Sequence, residues 1–83
     1  MITIRRYQSS QKVVLVASNT AEGFRKAESL GSLGECLKET PEPESSHEIK
    51  EQVRRNMSAI REDGFAVILS RPTRNENATR RSV

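Results

Sequence analysis

The chain has no tryptophan, one tyrosine and two phenylalanines. So few rings give little bulk for a large core and little on which nucleobases can stack. A lone cysteine, Cys36, excludes an internal disulfide, and points to a reducing and therefore cytoplasmic setting. No apolar run approaches the roughly 20 residues that span a bilayer. The opening residues Met1 to Arg6 carry no apolar core of a signal peptide. Leu, Ile, Val and Phe total 18 of 83 residues, near the lower edge for a chain that folds, so one domain with a thin core is expected.

Catalytic equipment is equally sparse. His47 is the only histidine and falls in a helix-start segment, where a solvated side chain is expected. Cys36 lies between Glu35 and Glu39, acids that blunt a thiolate, and it has no base in sequence reach; a small core or half-buried role is expected. Asp63, the only aspartate, sits at a helix end. No acid, base and nucleophile assemble on paper, and no thiol or histidine cluster has metal-ligand spacing. The expectation is a protein that is not an enzyme, with no catalytic residue, cofactor, metal or small-molecule substrate.

What is present begins with the stretch from Glu44 to Ser70. Ile49, Val53, Met57 and Ile60 recur at helical spacing, with Glu48, Lys50, Glu51, Arg54, Arg55, Arg61 and Glu62 largely around the rest. Ser45 or Ser46 offers an N-cap and Gly64 a C-cap. The spacing predicts one continuous helix ending at Gly64, followed at once by a buried strand over 65–69.

Upstream, Ile2 to Arg5 alternates apolar and polar, Gln8 to Gln11 is a polar turn, and Lys12 to Ala17 is a β-branched run. These predict a hairpin, with its second strand central and its first at the sheet edge. Asn19 and Glu22 have capping-box spacing before Phe24, Ala27 and Leu30, which predicts a helix ending near Gly31. Ser18 to Gly23 followed by Arg25 and Lys26 has the outline of a phosphate cradle. It holds one glycine, no Gly-Lys-Ser/Thr and an opposing Glu22, so ordinary capping is the expectation. Segment 33–40 reads either way. Leu33 and Leu37, four apart, favour helix; the alternative is an extra strand. Pro41 to Glu44 is an extended connector.

The expected fold is α+β, in the order β-β-α-α-β, with runs 13–16 and 65–69 adjacent. The sheet is mainly antiparallel and three-stranded, or four-stranded if 33–40 joins it. Both helices lie on one face. The domain covers 1–70, and 71–83 is a basic, disordered tail.

Two helices cover one sheet face, yet both central runs are apolar on both sides. The second face then needs a cover: another protein, a second copy of the chain, or segment 33–40. The residues expected at that contact are Val14, Val16, Ala66 and Ile68.

Charge adds a second surface. The net charge is +3, arranged in three blocks: 1–26 carry five basic and one acidic residue, 27–51 two and seven, 52–83 seven and three. Arg5, Arg6, Arg54, Arg71, Arg74, Arg80 and Arg81 are the candidate basic contacts. The expected function is a small non-enzymatic interaction or regulatory module, an adaptor or inhibitor, docking through an apolar sheet face and a basic tail. The alternative is a nucleic-acid-binding regulator that uses the same arginines. Its acidic middle block and the lack of a recognisable RNA- or DNA-binding signature weigh against it.

Overall fold

The computed structural model describes residues 1–31 and 33–72. Strands β1 (Thr3–Gln8) and β2 (Lys12–Ser18) form the hairpin, paired antiparallel from Thr3 opposite Ser18 to Gln8 opposite Val13. The Ser9 amide donates to the Lys12 carbonyl across the turn, and Ser9 Oγ accepts from the Gln11 and Lys12 amides. Helix α1 (Ala21–Leu30) follows, then β3 (Glu35–Pro41) and a 3-10 turn (Glu42–Glu44). Helices α2 (His47–Arg55) and α3 (Met57–Asp63) lead into β4 (Ala66–Pro72). The sheet is four-stranded and antiparallel, in the order β3-β1-β2-β4.

The adjacency of β2 and β4 and the inner position of β2 agree with the apolar runs. Two details differ. Segment 33–40 joins the sheet by the strand alternative, as β3, which pairs along the outer side of β1, so β1 is interior and β3 takes the edge. The pairing partner outweighs the weak Leu33–Leu37 spacing. Strand β4 runs through Arg71 to Pro72, past the expected domain boundary at residue 70. Residues 73–83, on which the expectation of a disordered tail falls, lie outside the described residues.

The long helix is broken at Asn56, where φ and ψ are −109° and 16°. Asn56 Nδ2 donates to the Gln52 carbonyl at 2.7 Å. A side chain bonding back to the preceding turn competes with the helical ladder and bends it. Ser46 is the N-cap of α2, and Gly64 closes α3 in the left-handed region at φ 89°.

The helices do not share a face. Helix α1 places Phe24 and Ala27 against Tyr7, Val14 and Val16. Val53 of α2 and Ile60 of α3 pack with Ile4, Ala17, Ala66 and Ile68 on the opposite side. The chain therefore covers its own sheet from both sides, with a core in two halves. The four residues expected to await a companion are its interior. Val14 and Val16 lie under α1, Ala66 and Ile68 under α2 and α3, and none is more than 6 % exposed. They could never have formed one patch, because Val16 is paired with Val67 and Ala17 with Ala66.

One close junction sets this arrangement. The side chain of Ser18, at the end of β2, is fully buried. Its hydroxyl donates to the Gly64 carbonyl at 2.6 Å, has the Thr20 carbonyl 2.9 Å away and accepts from the Thr20 amide at 3.1 Å. Gly23 of α1 sits directly on this contact. A Cβ there would collide with the Gly64 carbonyl oxygen and Ser18 Oγ.

Gly23→Ala is therefore expected to destabilise the fold by about 2 kcal/mol or more, since backbone cannot yield as a side chain does. Gly31→Ala, with nothing within 4 Å of the added methyl, is the neutral control. Ile68→Asp places an unpaired carboxylate in the α2–α3 half of the core. It is expected to unfold a domain this small, because that cost of several kcal/mol rivals a total stability of roughly 5 kcal/mol. Urea denaturation followed by circular dichroism checks all three; a cooperatively folded Ile68→Asp protein would contradict the two-sided core.

Candidate functional site

Two irregularities in the sheet adjoin the principal concave surface. Between β1 and β3 the register shifts: Arg6 faces Lys38 while Tyr7 faces Cys36, so Leu37 is an extra residue. Between β2 and β4, Leu15 faces Leu69 while Val16 faces Val67, so Ile68 is extra. An extra residue reverses the alternation beyond it and re-aims the side chains that follow. Ile68 thereby brings Leu69 and Arg71 onto the face of Val13 and Leu15, whereas Lys38 shares the face of Arg6 through the regular pairing of residues 3–6 with 41–38.

These residues line an open groove of about 530 Å³ at the hairpin-turn end of the sheet. Its floor is apolar, made of Val13, Leu15 and Leu69, and Ile49 from the first turn of α2 stands at its margin. Glu44, Ser45 and Ser46 form a wall where the 3-10 turn passes into α2. Arg6, Lys38 and Arg71 bring three positive charges to it, and Glu44 is the one carboxylate among the lining residues. None of the three cations forms an ion pair among the described residues, where the pairs are Arg5–Glu28, Arg5–Glu39 and Arg54–Glu51. A second hollow of about 180 Å³ shares Leu15, Ile49, Leu69 and Arg71 and continues between α2 and β4 toward Gln52.

The opposite face handles charge differently. Arg5 NH1 lies 3.5 Å from Glu28 Oε2, and its Nε lies 3.5 Å from Glu39 Oε1. Its guanidinium stacks over the Phe24 ring at 4.3 Å. The Tyr7 hydroxyl donates to Glu28 Oε2 at 2.6 Å. Burial, then that hydrogen bond, pushes the Tyr7 phenol up to about 12, against the pull of Arg5. This cluster ties α1 to β1 and β3 and commits the half-buried Arg5 to two carboxylates, although its Nε is buried without a hydrogen-bond partner.

The candidate basic contacts therefore separate. Arg6 and Arg71 meet in the groove. Arg5 is committed to the α1 face, and Arg54 pairs with Glu51 on the surface of α2. Arg74, Arg80 and Arg81 lie outside the described residues. Lys38 was missed because its segment read ambiguously; the strand-like alternation of Lys38 with Thr40 was the usable signal. Tyr7 is 1 % exposed, and Phe24 is buried as well.

None of the remaining candidates lines the groove. Cys36 is exposed on the edge strand β3, not in the core. His47 is exposed at the start of α2. The cradle outline at Ser18–Gly23 is a cap: Thr20, not Asn19, accepts from the Gly23 amide. Among the described residues no cluster of His, Cys, Asp or Glu is placed to hold a metal, and no helix is long and apolar enough to cross a membrane.

Comparison with known proteins finds no matching family model, no matching curated protein and no matching solved structure.

The raised phenol predicts a specific pH response. A group whose folded pKa exceeds its unfolded value of about 10 contributes stability that is complete below pH 10 and is lost as pH rises toward 12. The loss is expected to reach roughly 2 kcal/mol. Tyr7→Phe should flatten that window in urea titrations at pH 9 to 12; an unchanged slope would refute the Tyr7–Glu28 assignment.

Proposed function

We propose that this chain is a small non-enzymatic interaction module that docks onto an anionic partner through the groove, and not through Val14, Val16, Ala66 and Ile68. The observation that carries this reading is the cross-strand pairing of Arg6 with Lys38. Like charges directly opposite each other in an antiparallel pair oppose folding. One residue away, Arg5 faces Glu39, an opposite-charge pair. The same two strands satisfy charge on the α1 face and leave it unmet in the groove. A bound anion relieves that repulsion, and half-buried apolar residues beneath it supply contact area.

The groove has the dimensions of a binding site, but its walls offer hydroxyls, one carboxylate and three cations. No histidine or cysteine lines it. That composition favours recognition over reaction.

The test compares the tagged full chain with an Arg6→Gln/Lys38→Gln/Arg71→Gln variant in crosslinked pull-downs from the native host, with nuclease added. A protein partner held by the wild type and lost by the variant is the expected result, and circular dichroism should show the variant folded. Equal recovery by both would remove the groove as the docking surface. Recovery that disappears with nuclease would transfer it to nucleic acid. Because the variant relieves a like-charge pair, its melting temperature should equal or exceed that of the wild type.

A further inference from the structure

We infer that the occupant of the groove is an extended acidic peptide segment of another protein, carrying apolar anchor side chains and lying across the strands from Lys38 to Arg71. The inference rests on the docking function proposed above and names its partner. Lys38 and Arg71 stand on the two edge strands, three inter-strand spacings apart, or roughly 14 Å. A single small anion cannot touch both ends. Four or five extended residues span that distance at about 3.4 Å each. The hollow toward Gln52 adjoins the groove at Leu69 and Arg71 and adds apolar Ile68 with one carboxylate, Glu48. Val13, Leu15 and Leu69 lie between the cations, so the matching ligand alternates carboxylates with apolar side chains.

Other occupants fit less well. A nucleic-acid strand needs exposed rings for its bases, whereas Tyr7 and Phe24 are buried and the half-buried Phe65 packs against the α1 half of the core, away from the groove. The chain's own residues 73–83 carry three arginines and one glutamate, the same sign as the groove. Two copies meeting groove to groove would oppose three cations with three.

The decisive experiment titrates the isotope-labelled full chain with four probes, read by amide NMR shifts and calorimetry. The first is a blocked octapeptide, Glu-Glu-Leu-Glu-Glu-Leu-Glu-Glu. The second replaces both leucines by serine. The third is an octamer of deoxythymidine, and the fourth is inorganic phosphate. The leucine peptide should shift the amides of Arg6, Val13, Lys38, Leu69 and Arg71. It should bind at least about fivefold tighter than the serine peptide and weaken about tenfold or more in Arg6→Gln/Lys38→Gln. Equal binding of the two peptides would remove the apolar anchor and overturn the inference. Tighter binding of the oligonucleotide at the same amides would overturn the partner class while the groove stands as a docking surface. Phosphate shifting these amides as strongly as the peptide would reduce the groove to an ion site. Concentration-dependent shifts of these amides without any probe would make the occupant a second copy. Silence of the groove amides toward all four probes would end both the inference and the function it rests on.

Discussion

The fold turns on the hydroxyl of Ser18 and the two glycines around it. Strand β2 ends there, α1 departs there, and α3 closes there before β4 begins. The Gly64 carbonyl, an orphan acceptor at a helix end, finds its donor in the Ser18 hydroxyl, and Gly23 lets the α1 backbone approach that contact. The left-handed conformation of Gly64 reverses the chain and leads it into β4, which pairs with β2 from Ala17 opposite Ala66 onward. Helices leaving one end of a sheet on opposite sides must cover opposite faces. Everything about core coverage follows from this small polar contact.

The covering of both faces changes what an 83-residue chain can do. Helix α1, with ten residues, covers the part of its face that holds Tyr7, Val14 and Val16. Helices α2 and α3 cover the Ile4, Ala17, Ala66 and Ile68 part of the other. Past Ile49 the chain has no further helix to lay down, and the hairpin-turn end of that face stays open. A small protein with limited helix length has to leave some sheet uncovered. Here the uncovered part is the one that carries the unpaired cations.

Much of this architecture was readable from the residues. The β-branched run 13–16 and the run 65–69 announced adjacent strands, and Gly64 announced the helix end. Two helices were readable as well; their assignment to faces was not, because it depends on a contact between Ser18, Gly23 and Gly64, residues 46 positions apart at the extremes. Strand β3 escaped for a similar reason: its partner is the outer edge of β1, and its exposed side chains leave no apolar signature. The site was legible only in fragments. Arg6 and Arg71 stood out as charges, but the extra Ile68, which puts Arg71 on one surface with Arg6 and Lys38, leaves only a faint trace. At β4 that trace is Ile68 and Leu69 in succession, two apolar residues where alternation allows one.

The extra Ile68 serves the core and the groove together. It is itself buried in the half of the core under α2 and α3. Without it, regular pairing of β2 with β4 would turn Arg71 toward the α1 side. Arg6 and Lys38 face each other in the regular part of the β1–β3 ladder, so two like charges stand opposite one another there. In the same two strands, Arg5 is flanked by two carboxylates and a ring. The fold thus offsets charge on the α1 side and gathers it on the other, and the proposed docking of an anionic partner rests on that asymmetry.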